Sequence, residues 1–416
     1  MRRRYVIVGA GAAGLAAAER LARLDPGSSV ILLTQETVAP YSRPLLTDYL
    51  AGVATTGDLA LPPDRTWGLP GVTLRRGARV EAVEPAQGRV VLASGERVDY
   101  DALLVATGAD PAVPPALTGH PRVTPFRSLA DARRVRRATA SGRRVVVLGA
   151  GVLGIKVTTA LVKAGARGIV LLEARARPLV GVVDAEGAVL AARRLAQGGV
   201  DLRCGVTVVA VEGPKRQKST GGCGEISLLL SDGGKLAADL VVACTGVAPA
   251  VRLLAGVAAT RRGVTVDETM RTTAAGIFAA GDLVETLDLV TGEWTVAATW
   301  THARVQGRVA ASNMAGRPAT FAGVIRRNVV DVLGLGVASM GVVDPPPGRE
   351  WSSVITSRRG GYRKLVFRNG LPAGALLVGE TDAAGLLLAG LMKGKWESDG
   401  PGADLRAESV HRVPAV

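Results

Sequence analysis

Aromatic residues are scarce in this chain, at 3% of 416 residues, and it has only three cysteines. Cys204, Cys223 and Cys244 lie far apart without CxxC or metal-ligand spacing, which excludes a disulfide scaffold and an iron–sulfur site of the chain's own. No apolar run approaches the ~20 residues that span a bilayer. These absences, with 53 glycines, favour an α/β protein of the reducing cytoplasm.

Acidic residues are outnumbered by basic ones, 36 to 51, so the formal net charge is +15. The basic residues are scattered through every segment without interleaved aromatic residues, and this pattern argues against nucleic-acid binding. Two interpretations stay open, a solvated arginine-rich surface and an acidic partner.

The stretch around which the chain is organised is a glycine fingerprint near the N-terminus. A short apolar strand, Tyr5–Val8, precedes Gly9-x-Gly11-x-x-Gly14, and a helical run, Leu15–Leu24, follows it. The first glycine allows the turn, the second lets a pyrophosphate approach the backbone, and the third lets helix and strand pack closely. The phosphates would lie at the positive end of the helix dipole.

The same arrangement occurs a second time. The strand Arg144–Leu148 leads into Gly149-x-Gly151-x-x-Gly154 and another helical run. Two dinucleotide fingerprints in one chain predict two bound dinucleotides.

Carboxylates near the ends of the next strands are candidates for binding ribose, about 20 residues beyond the glycines. In the first unit Thr34 ends the strand and Glu36 is the candidate, whereas Glu173 ends the strand of the second unit. Glu173 favours a ribose with a free 2′-hydroxyl and therefore NADH, although Arg175 and Arg177 close behind leave NADPH open.

Further segments set the predicted domain organisation. Tyr100–Gly108 and Asp239–Gly246 are similar buried strands, and Ile277–Ala280 delivers Asp282 at its carboxyl end, where open α/β sheets bind ligands. We expect one dinucleotide-binding domain of residues 1–110 and 246–316, a second dinucleotide-binding domain of residues 111–245, and a C-terminal α+β domain of residues 317–416. The last helix of that domain carries little charge, which favours packing against another surface, including that of a second subunit in a homodimer.

With these pieces in place the sequence resembles the FAD-dependent pyridine nucleotide-disulfide oxidoreductases over nearly all its length. Within that family it looks most like the branch of NADH:rubredoxin reductases and the flavin part of NAD(P)H nitrite reductases. Besides both fingerprints, the resemblance rests on Ala106-Thr-Gly108, Pro40-Tyr-Ser-Arg-Pro44, Ile277-Phe-Ala-Ala-Gly-Asp282 and Asn313-Met-Ala-Gly316.

The resemblance implies two Rossmann-like domains, with the NAD(P) domain inserted into the FAD domain, and two sets of binding residues. Arg43 and Asp282 would contact the flavin moiety, Val80 the adenine through its backbone, and the helix after Trp300 would point its N-terminus at the flavin. The residues implied for FAD are Gly9, Ala10, Gly11, Ala13, Gly14, Glu36, Arg43, Val80, Thr107, Gly108, Asp282, Trp300 and Thr301. Those implied for NAD(P) are Gly149, Gly151, Val152, Leu153, Gly154, Glu173 and Gly246.

The sequence departs from the family at two places. Disulfide-reducing relatives carry a redox cysteine near Ser42–Arg43, and none exists here, so the thiol route to a disulfide is closed. Many relatives place a glutamate beside the nicotinamide, where this chain has Lys156.

We therefore expect an FAD-dependent NAD(P)H:acceptor oxidoreductase with no catalytic acid or base and no metal. Electrons would pass from NAD(P)H through non-covalent FAD to a separate rubredoxin- or ferredoxin-like carrier or reductase subunit. Two alternatives remain, an NADH oxidase that reduces oxygen and a flavin-bearing subunit or redox-responsive binding protein without turnover.

Overall fold

The structure is a computed structural model that describes residues 2–213, 225–358, 361–396 and 411–414. Cys223 lies outside the described residues. Among the residues that are described, no helix has the length and apolar character to cross a membrane.

Strands and helices alternate over most of the chain. The helices are α1 Ala12–Leu24, α2 Leu46–Ala51, α3 Thr56–Leu59, α4 Leu129–Ala140, α5 Val152–Lys163, α6 Ala185–Gln197, α7 Trp300–Met314 and α8 Ala384–Met392. The strands up to residue 111 are β1 Arg4–Val8, β2 Ser29–Thr34, β3 Val72–Arg76, β4 Val80–Glu84, β5 Arg89–Leu92, β6 Arg97–Asp99, β7 Ala102–Val105 and β8 Ala109–Pro111.

The remaining strands follow in two groups. The middle of the chain contains β9 Val123–Pro125, β10 Val145–Leu148, β11 Val170–Glu173, β12 Asp201–Cys204, β13 Val208–Glu212, β14 Ile226–Leu230, β15 Lys235–Ala238, β16 Leu240–Ala243 and β17 Val247–Pro249. The last part contains β18 Val264–Thr265, β19 Ile277–Ala279, β20 Val284–Leu287, β21 Trp294–Thr295, β22 Arg327–Val332, β23 Leu335–Gly341, β24 Trp351–Arg358, β25 Gly361–Arg368, β26 Leu371–Gly379 and β27 His411–Pro414.

The chain divides into two compact units. The first comprises residues 1–44, 56–110 and 247–324, and the second comprises residues 45–55, 111–246 and 325–416. Residues 45–55, which include α2, therefore belong to the second unit, where α2 packs against α4 and α5. Within that unit the guanidinium of Arg136 lies 4.6 Å from the ring centre of Tyr49.

A parallel sheet of five strands, in the order β19-β7-β1-β2-β3, forms the core of the first unit. Every residue of β7 is buried, as expected for a parallel strand covered on both faces. Helices α1 and α7 pack against each other, and a small antiparallel sheet of β4, β5 and β6 is inserted between β3 and β7.

A second parallel sheet of five strands, in the order β12-β11-β10-β16-β9, forms the nucleotide-fold part of the second unit. All residues of β10 and β16 are buried. The C-terminal part of the same unit is an antiparallel sheet in the order β22-β23-β26-β25-β24-β27, and α8 packs on β26. The predicted α/β fold with two Rossmann-like sheets and a C-terminal α+β domain is confirmed.

A buried cluster joins the N-terminus of α6 to the C-terminal sheet inside the second unit. Asp184 caps α6 by accepting a hydrogen bond from Gly187 N at 3.0 Å. Its Oδ2 also accepts hydrogen bonds from Tyr362 Oη at 2.5 Å and from Lys364 Nζ at 3.1 Å. Burial, followed by the nearby Asp184 carboxylate, raises the pKa of Tyr362, which therefore remains a hydroxyl donor.

Candidate functional site

In the first glycine fingerprint Gly14 brings the helix close to the strand, while the space beside Gly11 is free of protein atoms. A Cβ added at Gly14 would lie 1.8 Å from the carbonyl oxygen of Gly9, so only glycine fits there. A Cβ at Gly11 would meet nothing within 4 Å. Gly11 is the N-cap of α1 and has no side chain with which to cap the helix. The uncapped first-turn N–H groups and the open space beside Gly11 fit the predicted binding of a pyrophosphate.

Two residues that the sequence analysis did not single out support this space. The buried Gln306 of α7 accepts a hydrogen bond from Gly281 N at 2.8 Å and so fixes the loop before Asp282. A Cβ at Gly307 would lie 2.1 Å from Ala13 O, so this glycine lets α7 approach the first turn of α1. A glycine in the middle of a predicted helix was the available signal.

The loop after β7 is pinned by the returning chain of the same unit. Thr107 Oγ1 donates to Ala250 O at 3.2 Å, and Ala250 N donates to Gly108 O at 3.0 Å. The same loop lies next to the fingerprint, since a Cβ at Gly9 would lie 2.2 Å from Ala106 O. Thr107 and Gly108, both predicted to bind FAD, follow Ala106 directly.

Glu36 and Arg43, predicted to contact opposite ends of FAD, form an ion pair of 2.5 Å. Arg43 also lies over the ring of Tyr41, 5.7 Å from its centre. The guanidinium of Arg43 therefore lies beside the carboxylate that is predicted to bind the ribose, and its contact with the flavin or its phosphates stays a prediction.

The remaining predicted FAD residues lie on separate elements of the first unit. Val80 is buried and opens β4, while Trp300 and Thr301 form the first turn of α7. Thr299 caps this turn, since its Oγ1 accepts a hydrogen bond from His302 N at 3.3 Å and lies 2.9 Å from His302 Nδ1.

The second fingerprint repeats the first in detail. A Cβ at Gly154 would lie 1.7 Å from Gly149 O, whereas one at Gly151, the N-cap of α5, would meet nothing within 4 Å. Val152 and Leu153 form the first turn of α5, and Gly246 lies exposed beyond β16 with φ +107°.

Glu173 is oriented by the fingerprint loop itself. Its Oε2 accepts a hydrogen bond from Ala150 N at 2.7 Å, and its Oε1 accepts one from Arg175 N at 2.9 Å. Each carboxylate oxygen retains a lone pair for a ribose hydroxyl. Arg177 is held away, because its guanidinium donates to Val183 O at 3.0 Å and pairs with Asp344.

The protein environment raises the thiol pKa of both described cysteines. Burial raises the pKa of Cys244 to about 12. Burial and then the charge of Glu173 raise the pKa of Cys204. Because the thiolate is the nucleophile, neither thiol is poised for disulfide exchange near neutral pH.

The two glycine fingerprints, which we call the two cradles, are those of a protein that binds two dinucleotides. Comparison with known proteins identifies its family. The chain belongs to the pyridine nucleotide-disulphide oxidoreductase family, whose model matches residues 3–307. Residues 327–395 match the C-terminal domain of rubredoxin NAD+ reductase.

Two relatives and one solved structure show what this chain is similar to. The chain is 31% identical to subunit epsilon of the NADH-dependent phenylglyoxylate dehydrogenase of Aromatoleum evansii, over 88% of this chain and 85% of that protein. It is 31% identical to a rubredoxin-NAD(+) reductase of Pseudomonas putida, over 75% of this chain and 80% of that one. The covalent putidaredoxin reductase–putidaredoxin complex matches with a TM-score of 0.81 and 26% identity, over 92% and 91% of the two chains.

The protein is therefore an FAD-dependent NAD(P)H:acceptor oxidoreductase that passes electrons to a small electron-carrier protein. The predicted family, cofactors and type of partner are confirmed. The individual binding residues and the domain boundaries remain predictions.

Proposed function

We propose that electrons leave directly from the flavin to an acidic carrier protein, without any disulfide step. The single observation that carries this proposal is the chemistry of the thiols. The loop containing Ser42 has no cysteine, Cys244 is buried with its pKa raised to about 12, and burial also raises the pKa of Cys204. FAD, when bound, would take up two electrons as a hydride from the reduced nicotinamide, and these electrons would leave one at a time to two molecules of a one-electron carrier such as a rubredoxin or ferredoxin.

The protein residues position the nucleotides and supply no acid or base. We assign the pyrophosphate of FAD to the first turn of α1 above Gly11, and that of NADH to the first turn of α5 above Gly151. The N-terminus of α7, beginning at Trp300, would contribute a positive dipole where negative charge collects. Support comes from the two open positions at the helix N-caps.

The sequence prediction divides the chain into an FAD domain of residues 1–110 and 246–316, an NAD(P) domain of residues 111–245 and a C-terminal domain of residues 317–416. We keep this division except for residues 45–55, which pack in the unit that contains the NAD(P) domain. The proposed location is the cytoplasm, supported by the free thiols of Cys204 and Cys244. A homodimer through α8 remains part of the proposal, supported by the exposed Leu386 and Met392 of that helix.

Reduction of an acidic rubredoxin or ferredoxin is expected to slow steeply as salt rises, while reduction of a neutral dye changes little. A net charge of +15 attracts anionic partners, and the Debye length falls from about 30 Å at 0.01 M to about 10 Å at 0.1 M. Steady-state rates with both acceptors across this range provide the measurement. Equal salt profiles would contradict steering, and turnover of coenzyme A disulfide at rates similar to the carrier would contradict the direct route.

NADH is expected to be used at least about tenfold better than NADPH by kcat/KM, because Glu173 would repel a 2′-phosphate. With Arg177 tied to Asp344, Arg175 is the nearby arginine that could offset this repulsion. Glu173→Ala should lower kcat/KM for NADH and reduce the preference, whereas Arg175→Ala should leave the NADH value nearly unchanged. Equal or greater kcat/KM for NADPH in the unaltered protein would reject the prediction.

A further inference from the structure

One arginine close in sequence to the predicted ribose carboxylate is tied to the C-terminal sheet. Arg177 lies four residues after Glu173, on the loop between β11 and α6. Its guanidinium donates to Val183 O at 3.0 Å and pairs with Asp344, which lies on the loop between β23 and β24. All four residues belong to the second unit. A side chain next to the C-terminal sheet therefore holds Arg177 in its observed position.

The segment that carries Arg177 is anchored at the second cradle on both sides. At its start, Glu173 Oε2 accepts a hydrogen bond from Ala150 N at 2.7 Å. Two residues after Arg177, Leu179 N donates to Ala150 O at 2.9 Å. The segment of residues 173–179 therefore begins at the predicted ribose carboxylate and returns to the same residue of the fingerprint.

The backbone on both sides of the Arg177–Asp344 pair is restrained. Each of the two residues precedes a proline, Pro178 or Pro345, which limits the backbone conformations of the residue before it. Leu179 is buried and has φ +56°, a left-handed conformation that a leucine keeps only where its surroundings hold it. Since the backbone is held, release of Arg177 from Asp344 would move the side chain and not the loop.

The pair itself is partly open to solvent. The side chains of Arg177 and Asp344 are 26% and 47% exposed. An ion pair this exposed contributes little to stability, so the protein should fold without it. A guanidinium is also well suited to bind a phosphate, because it can donate two parallel hydrogen bonds to the phosphate oxygens. In the observed pair its donors are directed instead at a carboxylate and at the carbonyl of Val183.

We propose that Asp344 is a specificity-determining residue for the nicotinamide nucleotide, because it withholds Arg177 from the 2′-phosphate of NADPH. Asp344 acts through Arg177 and is therefore a positioning residue. While Arg177 is withheld, the carboxylate of Glu173 disfavours a 2′-phosphate. Without Asp344, Arg177 would turn to the 2′-phosphate and offset that repulsion. This assignment rests on the proposed binding of NADH at the second cradle and adds the residue that sets its selectivity.

The test compares two neutralised carboxylates of the C-terminal part, Asp344→Asn and Asp331→Asn. Asp331 pairs with Lys163 of α5 at 2.8 Å, and its side chain is 44% exposed, so the two variants lose the same charge from similar pairs. The Asn substitution at this control position keeps an acceptor for Gly334 N. The probes are NAD⁺ and NADP⁺, which differ only in the 2′-phosphate, titrated calorimetrically into the protein carrying FAD.

We expect Asp344→Asn to lower Kd for NADP⁺ about five- to tenfold and to change Kd for NAD⁺ less than about twofold. Asp331→Asn should change both values less than about twofold. Asp344→Ala, which leaves no acceptor for Arg177, should lower Kd for NADP⁺ at least as much as Asp344→Asn. In dye reduction, Asp344→Asn should lower KM for NADPH with kcat nearly unchanged, which a merely structural role would not produce.

Removal of the arginine identifies the responsible side chain. Asp344→Asn combined with Arg177→Ala should lose the gain in NADP⁺ affinity, and Arg177→Ala alone should change Kd for both nucleotides less than about twofold. Equal effects of the two Asn variants, or weaker NADP⁺ binding after Arg177→Ala alone, would overturn the assignment. Failure of both nucleotides to bind would overturn it together with the proposed NADH site. The expected binding differences without electron transfer to any acceptor would support the role of Asp344 and contradict the proposed function.

Discussion

Gly11→Ala should give a folded protein that has largely lost FAD. The added methyl group meets no protein atom within 4 Å, and φ of −86° suits alanine, so we expect folding to be unaffected. The methyl would occupy the space assigned to the pyrophosphate. Overpacking of this kind costs about 1–3 kcal/mol, roughly ten- to hundredfold in Kd. The measurements are the 450 nm absorbance retained after desalting and a titration of the apoprotein with FAD.

The second fingerprint offers a matched control, Gly151→Ala. The local geometry is nearly the same, since Gly151 has φ −75° and an equally open Cβ position. This variant should keep FAD and show a raised KM for NADH. Loss of FAD from both variants, or retention by both, would contradict the assignment of one nucleotide to each cradle.

Asp184→Ala should destabilise the second unit by about 3–5 kcal/mol, because it leaves the ammonium of Lys364 buried without its partner. The side chains of Asp184 and Lys364 are 8% and 11% exposed. The same change removes the cap of α6 and the acceptor of the Tyr362 hydroxyl. Urea unfolding followed by circular dichroism near pH 7 measures the loss.

Two variants separate the possible causes. Asp201→Ala breaks an exposed pair with Arg203 and should cost less than about 1 kcal/mol. Asp184→Asn combined with Lys364→Met keeps a capping side chain and removes both charges, so it should recover much of the lost stability. A loss below about 1 kcal/mol for Asp184→Ala would show that the cluster is not a major contributor.

Much of the fold could be predicted because its signals are local in sequence. Each fingerprint places a strand, three glycines and a helix within about 20 residues. The structure contains both of these strand–glycine–helix segments. The glycine spacing itself reveals the steric requirement. In each fingerprint a Cβ on the third glycine would lie less than 2 Å from the carbonyl oxygen of the first.

The features that were missed depend on contacts between distant residues. Gln306 meets Gly281 across 25 positions, and Tyr362 meets Asp184 across 178. Nothing in the local pattern distinguishes these side chains from ordinary helix and strand residues. The pairing of Glu36 with Arg43 is close in sequence, yet it depends on the path of a proline-containing loop that no regular period describes.

The membership of α2 in the second unit has a consequence for building chimeric reductases. The chain passes from one unit to the other between residues 44 and 45 and returns between residues 55 and 56, before the longer passage that begins at residue 111. A graft of residues 111–246 alone would place a foreign α4 and α5 against the native α2, and Tyr49 would lose its Arg136. A nucleotide module transplanted with residues 45–55 carries its own packing partner with it.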